Sequence, residues 1–362
     1  MHTRPLGVGL VGCLLLAPCP AQDAAKLARD YEKAIVAVNE AHADKPVARD
    51  ERELHKRLPA AATKLPKVLA ELADAPDVRD ALAVAAAAAL DLDRIDDFEL
   101  LQKRLAALDP PRAQQVGIAV SRPRFVAIGT QGMQTEGLTA VADVFDLVLD
   151  AYRDVFGLEA FSKVPGKKLR LRVHLEPKIE RPPHFAPQFP FHSEIDFPVV
   201  DAAKFASPTK EGQFLFYGLC HELGHVVAMW GDRKNEEDRH AWAHYTGVAI
   251  VEHLAAKKLP ALQDLRDVRW RSLEFERKRL AAKKVVPGPV DADTVLARFL
   301  ALHDAVGAKT IGEALAGLDA RGKHERINRV RYYAMQDLHA AIVATKAGKA
   351  AKKAVDAAFA GS

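Results

Sequence analysis

The strongest chemical signal in the sequence is a pair of histidines four positions apart, with a glutamate directly after the first. His221, Glu222 and His225 form the pattern His-Glu-x-x-His within an apolar run. On an α-helix, residues four positions apart lie on the same face, so both imidazoles can bind one metal ion. Glu222 lies about 100° round the helix from His221, where its carboxylate can reach a water at that ion. The pattern predicts a catalytic zinc site with two histidine ligands and Glu222 as general base.

The alternative for this motif is a histidine pair that binds no metal. Leu219, Val226 and Val227 flank the motif and indicate a buried helix. Two imidazoles and a carboxylate buried without partners would be costly, which favours a bound ion. Cys220 immediately precedes His221, but it points about 100° away on a helix, and we predict that it packs as a small apolar residue.

The elements that must position the motif can be read from the residues before and after it. Alternation of apolar residues and helical spacing predict a strand, a long helix and a second strand, followed by a proline-rich passage and a third strand. The ranges are 124–129, 136–156, 168–175, 181–192 and 193–198. Pro198 favours an edge position for the third strand, because proline cannot donate to a central ladder. The motif helix is predicted from about 208 to 230, and the next helix follows Asn235 as N-cap.

With its order of elements and its motif, the segment 122–255 resembles the zincin metallopeptidases, especially the gluzincin-like branch. The resemblance implies an α+β, mostly helical fold with a zincin-like core, namely a small mixed sheet and the His-Glu-x-x-His helix. It also implies a peptide or protein substrate that pairs with the edge strand at 193–197 through backbone hydrogen bonds. Zn²⁺ is the implied cofactor, activating a water that Glu222 deprotonates.

A catalytic zinc takes three protein ligands, so one must come from outside the motif helix. The buried face of the following helix should carry Ala241, Trp242, Tyr245, Val248 and Ala249. Extending that face backwards by three or four residues reaches Asp238, which we predict as the third ligand. Glu237, His240 and His244 remain alternatives. Acidic residues also suit the first turn of a helix without any metal, because that end of the helix dipole is positive.

Further polar residues could assist the reaction. Tyr332, Tyr333 and His240 are candidates by residue type for a donor to a tetrahedral oxyanion. His184 and His192, both in the proline-rich passage, are candidates for extra ligands or substrate contacts, although loop histidines are usually solvated.

Length and composition are those of a globular protein of several parts. The 362 residues are 49% apolar, and 52 basic against 48 acidic side chains leave a charge of +4, which gives no reason to expect a nucleic-acid partner. Helical patterns near 23–42, 48–74, 76–91 and 94–108 predict a helical N-terminal region at 22–118. The catalytic domain is predicted at 119–260, and a second helical region at 261–362.

The N-terminus has the layout of a secretory signal. A basic start precedes an apolar run from Leu6 to Ala17, and small residues at 19 and 21 predict cleavage after Ala21. A lipoprotein signal at Cys13 is the less favoured alternative. Removal of residues 1–21 would leave Cys220 as the one cysteine, and no later segment has the length of a transmembrane helix.

Together these features predict an exported, periplasmic or extracellular zinc-dependent peptidase. A different class stays open, namely an exported helical binding or scaffold protein whose zinc site is structural or vestigial.

Overall fold

The structure is a computed structural model that describes most of the chain from residue 79 onwards. The described residues are 26, 28, 29, 79–91, 95–129, 132–159, 168–176, 178, 183–189, 192–202, 210–227, 229–230, 236–257, 272–288, 291–323, 325–327 and 330–360. Over this part the fold is α+β and mostly helical, which confirms the predicted class. The predicted signal peptide and most of the two helices predicted within 23–74 lie outside these residues, although 26, 28 and 29 are helical.

Three helices precede the sheet. They are α1 (Arg79–Asp91), α2 (Ile95–Leu108) and α3 (Pro110–Val116), so the helices predicted near 76–91 and 94–108 are confirmed. Ala85, Ala86 and Ala89 are fully buried, and these small side chains let α1 pack closely on the apolar side of α2. The Asp109 carboxylate accepts the backbone N–H of Arg112 at 3.2 Å and caps the start of α3.

A five-stranded mixed sheet follows, in the order β1-β2-β3-β5-β4. Its strands are β1 (Ile118–Ser121), β2 (Phe125–Gly129), β3 (Leu169–Leu175), β4 (His184–Phe189) and β5 (His192–Val199), with α4 (Thr135–Phe156) between β2 and β3. The strands β2, β3 and β5 run parallel, whereas β1 and β4 are antiparallel to their neighbours. The predicted strand, helix and strand before the motif are therefore confirmed.

Both faces of this sheet are covered. Odd-numbered strand residues such as Phe125, Leu171 and Ile195 belong to the main core with α4 and the motif helix. The even-numbered Val126 and Ile128 face the N-terminal helices. On this second face the fully buried Arg170 donates to the Leu90 carbonyl at 2.8 Å and pairs with Glu194 at 3.4 Å. The first helices are thus tied to the sheet by a buried ion pair as well as by apolar contacts.

The prediction of 193–197 as an edge strand is wrong. This segment lies within β5, which pairs with β3 on one side and β4 on the other, so it has no free edge for a substrate. Val199 uses its carbonyl on the β3 side, accepting from Glu176 at 2.9 Å, so Pro198 faces the other side. The described pairing with β4 ends at His184 and Asp196, and the missing N–H of Pro198 therefore breaks no described ladder bond. The edge strand on this side of the sheet is β4, and β1 forms the other edge.

The motif lies on α5 (Lys210–Val227), which packs along α6 (Glu236–Ala256). Two glycines allow the close approach. A Cβ on Gly224 would lie 2.8 Å from the Cα of Ala243, and a Cβ on Gly247 would lie 3.1 Å from the backbone N and Cα of His221. The Trp242 indole N–H donates to the Gly224 carbonyl at 3.0 Å and fixes the same crossing. Backbone contact between the two helices therefore sets the distance across which their histidines meet.

Substituting Gly224 with alanine is expected to destabilise the protein. Overpacking costs about 1 to 3 kcal/mol, and alanine recovers about 1 kcal/mol or less through its higher helix propensity. Thermal unfolding of the Gly224→Ala protein should therefore show a lower Tm than that of the wild type. Gly317→Ala is the matched control, because its Cβ would meet only the flexible Arg321 side chain, at 3.6 Å. An unchanged or higher Tm for Gly224→Ala would show that the helices are not held by this contact.

The chain after α6 folds back onto the helix pair. It forms α7 (Leu273–Ala282), α8 (Ala292–Val306), α9 (Ala308–Ala320), α10 (Met335–Ala344), α11 (Lys346–Ala350) and α12 (Lys352–Ala358). A second sheet joins β6 (Met229–Trp230), directly after the motif helix, to β8 (Val330–Tyr333), with β7 (Glu325–Ile327) outside it. None of the described helices combines the length and apolar character needed to cross a bilayer.

Candidate metal centre

Three histidines from two helices meet in one cluster. His221 and His225 come from α5, and His240 comes from the second turn of α6. One nitrogen or more of each ring lies within 4.8 Å of the others. The ring centroids are 5.0 Å apart for His221 and His225, 5.2 Å for His225 and His240, and 5.9 Å for His221 and His240. In the described part of the chain this is the group of side chains that could hold a metal ion.

The cluster opens to solvent on one side. His225 is buried, His221 is half-buried and His240 is exposed. The backbone of α6 contacts α5 at Gly247, two turns after His240. This contact places His240 next to the motif histidines. Solvent can therefore reach the cluster from the side of His240, which is what a catalytic metal site needs for an open coordination position.

The predicted third ligand, Asp238, lies in the first turn of α6, but its side chain is outside the described part of the chain, as is that of Glu237. Both assignments stay predictions. Of the alternatives, His240 lies in the cluster. His244 does not, since its Nδ1 lies 2.5 Å from the Tyr217 hydroxyl and its Nε2 lies 3.2 Å from Glu276. The buried face predicted for α6 is confirmed, since all five of its residues are 4% exposed or less.

A series of hydrogen-bonded polar side chains begins behind His221. Its Nδ1 lies 3.2 Å from the hydroxyl of Tyr217, one turn earlier on α5, and that hydroxyl also contacts His244. Metal-binding histidines commonly use their second ring nitrogen in this way, which fixes the tautomer and the ring orientation. His221 can therefore present its other nitrogen, Nε2, towards the cluster.

This series of hydrogen-bonded side chains ends at a buried carboxylate on α7. Glu276 is 2% exposed and accepts the Nε–H of Arg279 at 2.7 Å, and the same guanidinium reaches Asp293 at 2.8 Å. Burial alone would raise the pKa of Glu276, but hydrogen bonds from His244 and Arg279 outweigh it and lower that pKa. Glu276 is therefore an anion at neutral pH, facing the ring of His244.

Glu222 lies beside the cluster rather than within it. It is buried, and the backbone N–H of Phe185 on the edge strand β4 donates to its carboxylate. Burial raises the pKa of Glu222 to about 8, and the bond from Phe185 opposes this rise. Pro183 packs against Gly218 one turn earlier, so the start of β4 follows this side of α5. A carboxyl with a raised pKa is suited to accept and return a proton near neutral pH.

The donor set fits zinc. Imidazole is a preferred ligand for this ion, and three protein ligands with an open fourth position are typical of catalytic sites. Zinc–nitrogen bonds of about 2.0 to 2.1 Å in a tetrahedral site place ligand nitrogens about 3.4 Å apart. The nitrogens here lie within 4.8 Å of one another. Side-chain rotations that move each nitrogen by about 1 Å would bring them to the spacing of a zinc site.

Other residues predicted from the sequence have structural roles or lie outside the described side chains. Tyr333 is buried and its hydroxyl donates to Asp319, so it is not a free oxyanion donor. His184 is exposed, lies 3.5 Å from Asp196 and is not a member of the three-histidine group. Cys220 is fully buried and burial raises the pKa of its thiol, which confirms a packing role. The side chains of His192 and Tyr332 are not described.

Sequence reasoning missed Tyr217 and Glu276. Tyr217 precedes His221 by four residues, so helical spacing alone could have placed it under that ligand. Glu276 carries no such signal, because it lies in a charged helix 51 positions after His225 and reaches the site only through the packing of α7 on α6.

Comparison with known proteins adds no relative. A scan against protein-family models, a search of curated proteins and a search of solved structures each found no match.

Proposed function

We propose that this protein is an exported zinc-dependent peptidase whose ion is held by His221, His225 and His240. The observation that carries the proposal is the convergence of three imidazoles beside a buried glutamate that is not one of the group. Zinc held there would supply a Lewis acid and lower the pKa of water at its open position towards about 7. The choice of zinc rests on the donor set.

Glu222 acts as the general base in this proposal. Its carboxylate takes a proton from the attacking water and then returns it to the leaving amine of the cleaved peptide bond. The Phe185 N–H holds the carboxylate in place between these two transfers. Peptides are the proposed substrate because residues 122–255 resemble the zincins, and export is proposed from the signal layout at 1–21.

Metal analysis combined with a cleavage assay tests the proposal. We expect the purified full-length protein to carry one zinc per chain and to cleave members of a peptide library. Treatment with 1,10-phenanthroline should remove both the metal and the cleavage, and added Zn²⁺ should restore both. A protein that binds no zinc would overturn the proposed site. Zinc retained without cleavage of any peptide would instead support the non-catalytic binding or scaffold protein.

A further inference from the structure

Behind the three histidines lies a continuous line of hydrogen-bonding groups drawn from three helices. It runs from His221 through Tyr217 on α5 to His244 on α6 and Glu276 on α7, over separations of 3.2, 2.5 and 3.2 Å. Tyr217 is 7% exposed and Glu276 is 2% exposed, so bulk water competes little for these bonds. Such a line can transmit an effect only if each proton along it has a defined position.

With His244 neutral, counting donors from the carboxylate outwards gives every proton in the line a defined position. An ionised carboxylate only accepts, so Nε2 of His244 must carry the hydrogen. Nδ1 of a neutral His244 is then an acceptor and takes the single hydroxyl proton of Tyr217. The oxygen of Tyr217 is left to accept from Nδ1–H of His221. A neutral His221 with its hydrogen on Nδ1 has its lone pair on Nε2, the nitrogen available to a metal ion.

We propose that Tyr217, His244 and Glu276 form a relay that holds His221 in the tautomer able to bind the ion through Nε2. The relay rests on the proposed metal site and adds three positioning residues to it. None of the three touches the ion or the substrate. Glu276 sets the direction of all the bonds because it is the one member that can only accept.

The anchoring of α7 supports this assignment. The Leu273 backbone N–H at the start of α7 donates to Glu252 on α6 at 2.7 Å, and Arg277 pairs with Asp304 on α8. Arg279 bridges Glu276 and Asp293, so Oε2 of the Glu276 carboxylate is held while Oε1 faces His244. The orientation of a metal ligand on α5 therefore depends on a helix that contributes no ligand.

The test measures zinc affinity by competition with a chromogenic chelator, in single and double variants. Tyr217→Phe removes the hydroxyl and keeps the ring, and we expect a loss of affinity of about 10- to 100-fold, the usual range for groups that orient a metal ligand. Glu276→Gln should lose about 10-fold, because an amide can donate as well as accept and no longer fixes the proton on His244. Since both act through His221, the double variant should bind zinc no more weakly than Tyr217→Phe alone.

Glu252→Gln is the matched control. It makes the same carboxylate-to-amide change outside the relay, and its amide oxygen can still accept the Leu273 N–H, so its zinc affinity should stay within about 2-fold of the wild type. Losses that multiply in the double variant would show that Glu276 acts independently of Tyr217 and would overturn the relay. Wild-type affinity in Tyr217→Phe would overturn it as well. A wild-type protein that binds no zinc would overturn the metal site itself, so the two failures are distinguishable.

Nitrogen-15 NMR of the zinc-loaded protein gives a second readout that a purely structural role would not produce. Long-range proton–nitrogen spectra distinguish the two neutral tautomers of histidine. We expect His221 to carry its hydrogen on Nδ1 and His244 to carry its hydrogen on Nε2. The opposite tautomer at either residue would contradict the relay.

Discussion

Replacing His240 with alanine is expected to lower the affinity for zinc by more than about 100-fold, beyond the range found for groups that only orient a ligand. The variant would leave two imidazoles on α5, and an ion held by two protein ligands loses one of the three bonds of a catalytic site. His240 is exposed, so its loss should change the Tm of the metal-free protein little. Isothermal titration of the metal-free protein with Zn²⁺ measures the effect.

One further variant, with its control, decides between His240 and Asp238 as the third ligand. Asp238→Asn should keep wild-type zinc affinity if His240 is the third ligand, and it should lose more than about 100-fold if Asp238 is. His253→Ala controls for the loss of a histidine, because this residue lies on the same helix about 20 Å further along. Wild-type affinity in His240→Ala would contradict the three-histidine site.

Replacing Glu222 with glutamine is expected to lower the rate of peptide cleavage by about 10²- to 10⁴-fold, the usual contribution of a general base. The amide keeps the size of the side chain but cannot accept the proton of the attacking water. Zinc content should not change, because the three imidazoles supply the ligands. Cleavage of a peptide identified from the library, followed at saturating concentration, measures kcat, and metal analysis of the same samples measures occupancy.

Glu252→Gln makes the same chemical change on the exposed side of α6 and should leave cleavage at the wild-type rate. Glu222 is buried, so its replacement could also alter folding, and the Tm of each variant is measured alongside. Full activity in a folded Glu222→Gln protein would remove Glu222 from the mechanism. Loss of zinc together with activity would indicate that the carboxylate is a ligand instead.

The motif was predictable because its information is local. Helical spacing of four residues places His221 and His225 on one face, whatever the rest of the chain does. The strands and helix before the motif were predictable for the same reason, since periods of 2 and 3.6 are visible in a single segment.

The third histidine was harder to predict because helix α6 is apolar on nearly all sides. Residues 241–243 and 245–251 are buried, so the sequence has no polar face that shows which side meets α5. The third ligand was predicted at Asp238, in the first turn of α6, by extending one buried face towards the start of the helix. His240 lies just before the first residue of that face, and seven positions before Gly247 it shares the side of α6 that the helix crossing turns towards His221.

The edge of the sheet was assigned to the wrong strand for a related reason. Prolines in 181–192 exclude a regular helix, and Pro198 led us to predict the edge strand in the following segment, 193–198. An edge strand tolerates proline on its open side, and β4 contains Pro187 where its pairing with β5 shifts register between Ala186 and Phe189. The proline-rich passage therefore contains the edge strand itself, whereas Pro198, on which the prediction relied, lies in the next strand, β5.

The bond from Phe185 to Glu222 means that the two halves of the proposed chemistry are held by different parts of the fold. The ligands belong to the crossed helices α5 and α6, whereas the proton acceptor is also held by the outermost strand of the sheet. A small displacement of that strand would change the pKa of Glu222 without moving the three imidazoles. For the proposed peptidase we therefore expect that changes to the strand alter turnover, whereas changes to the helices alter metal retention.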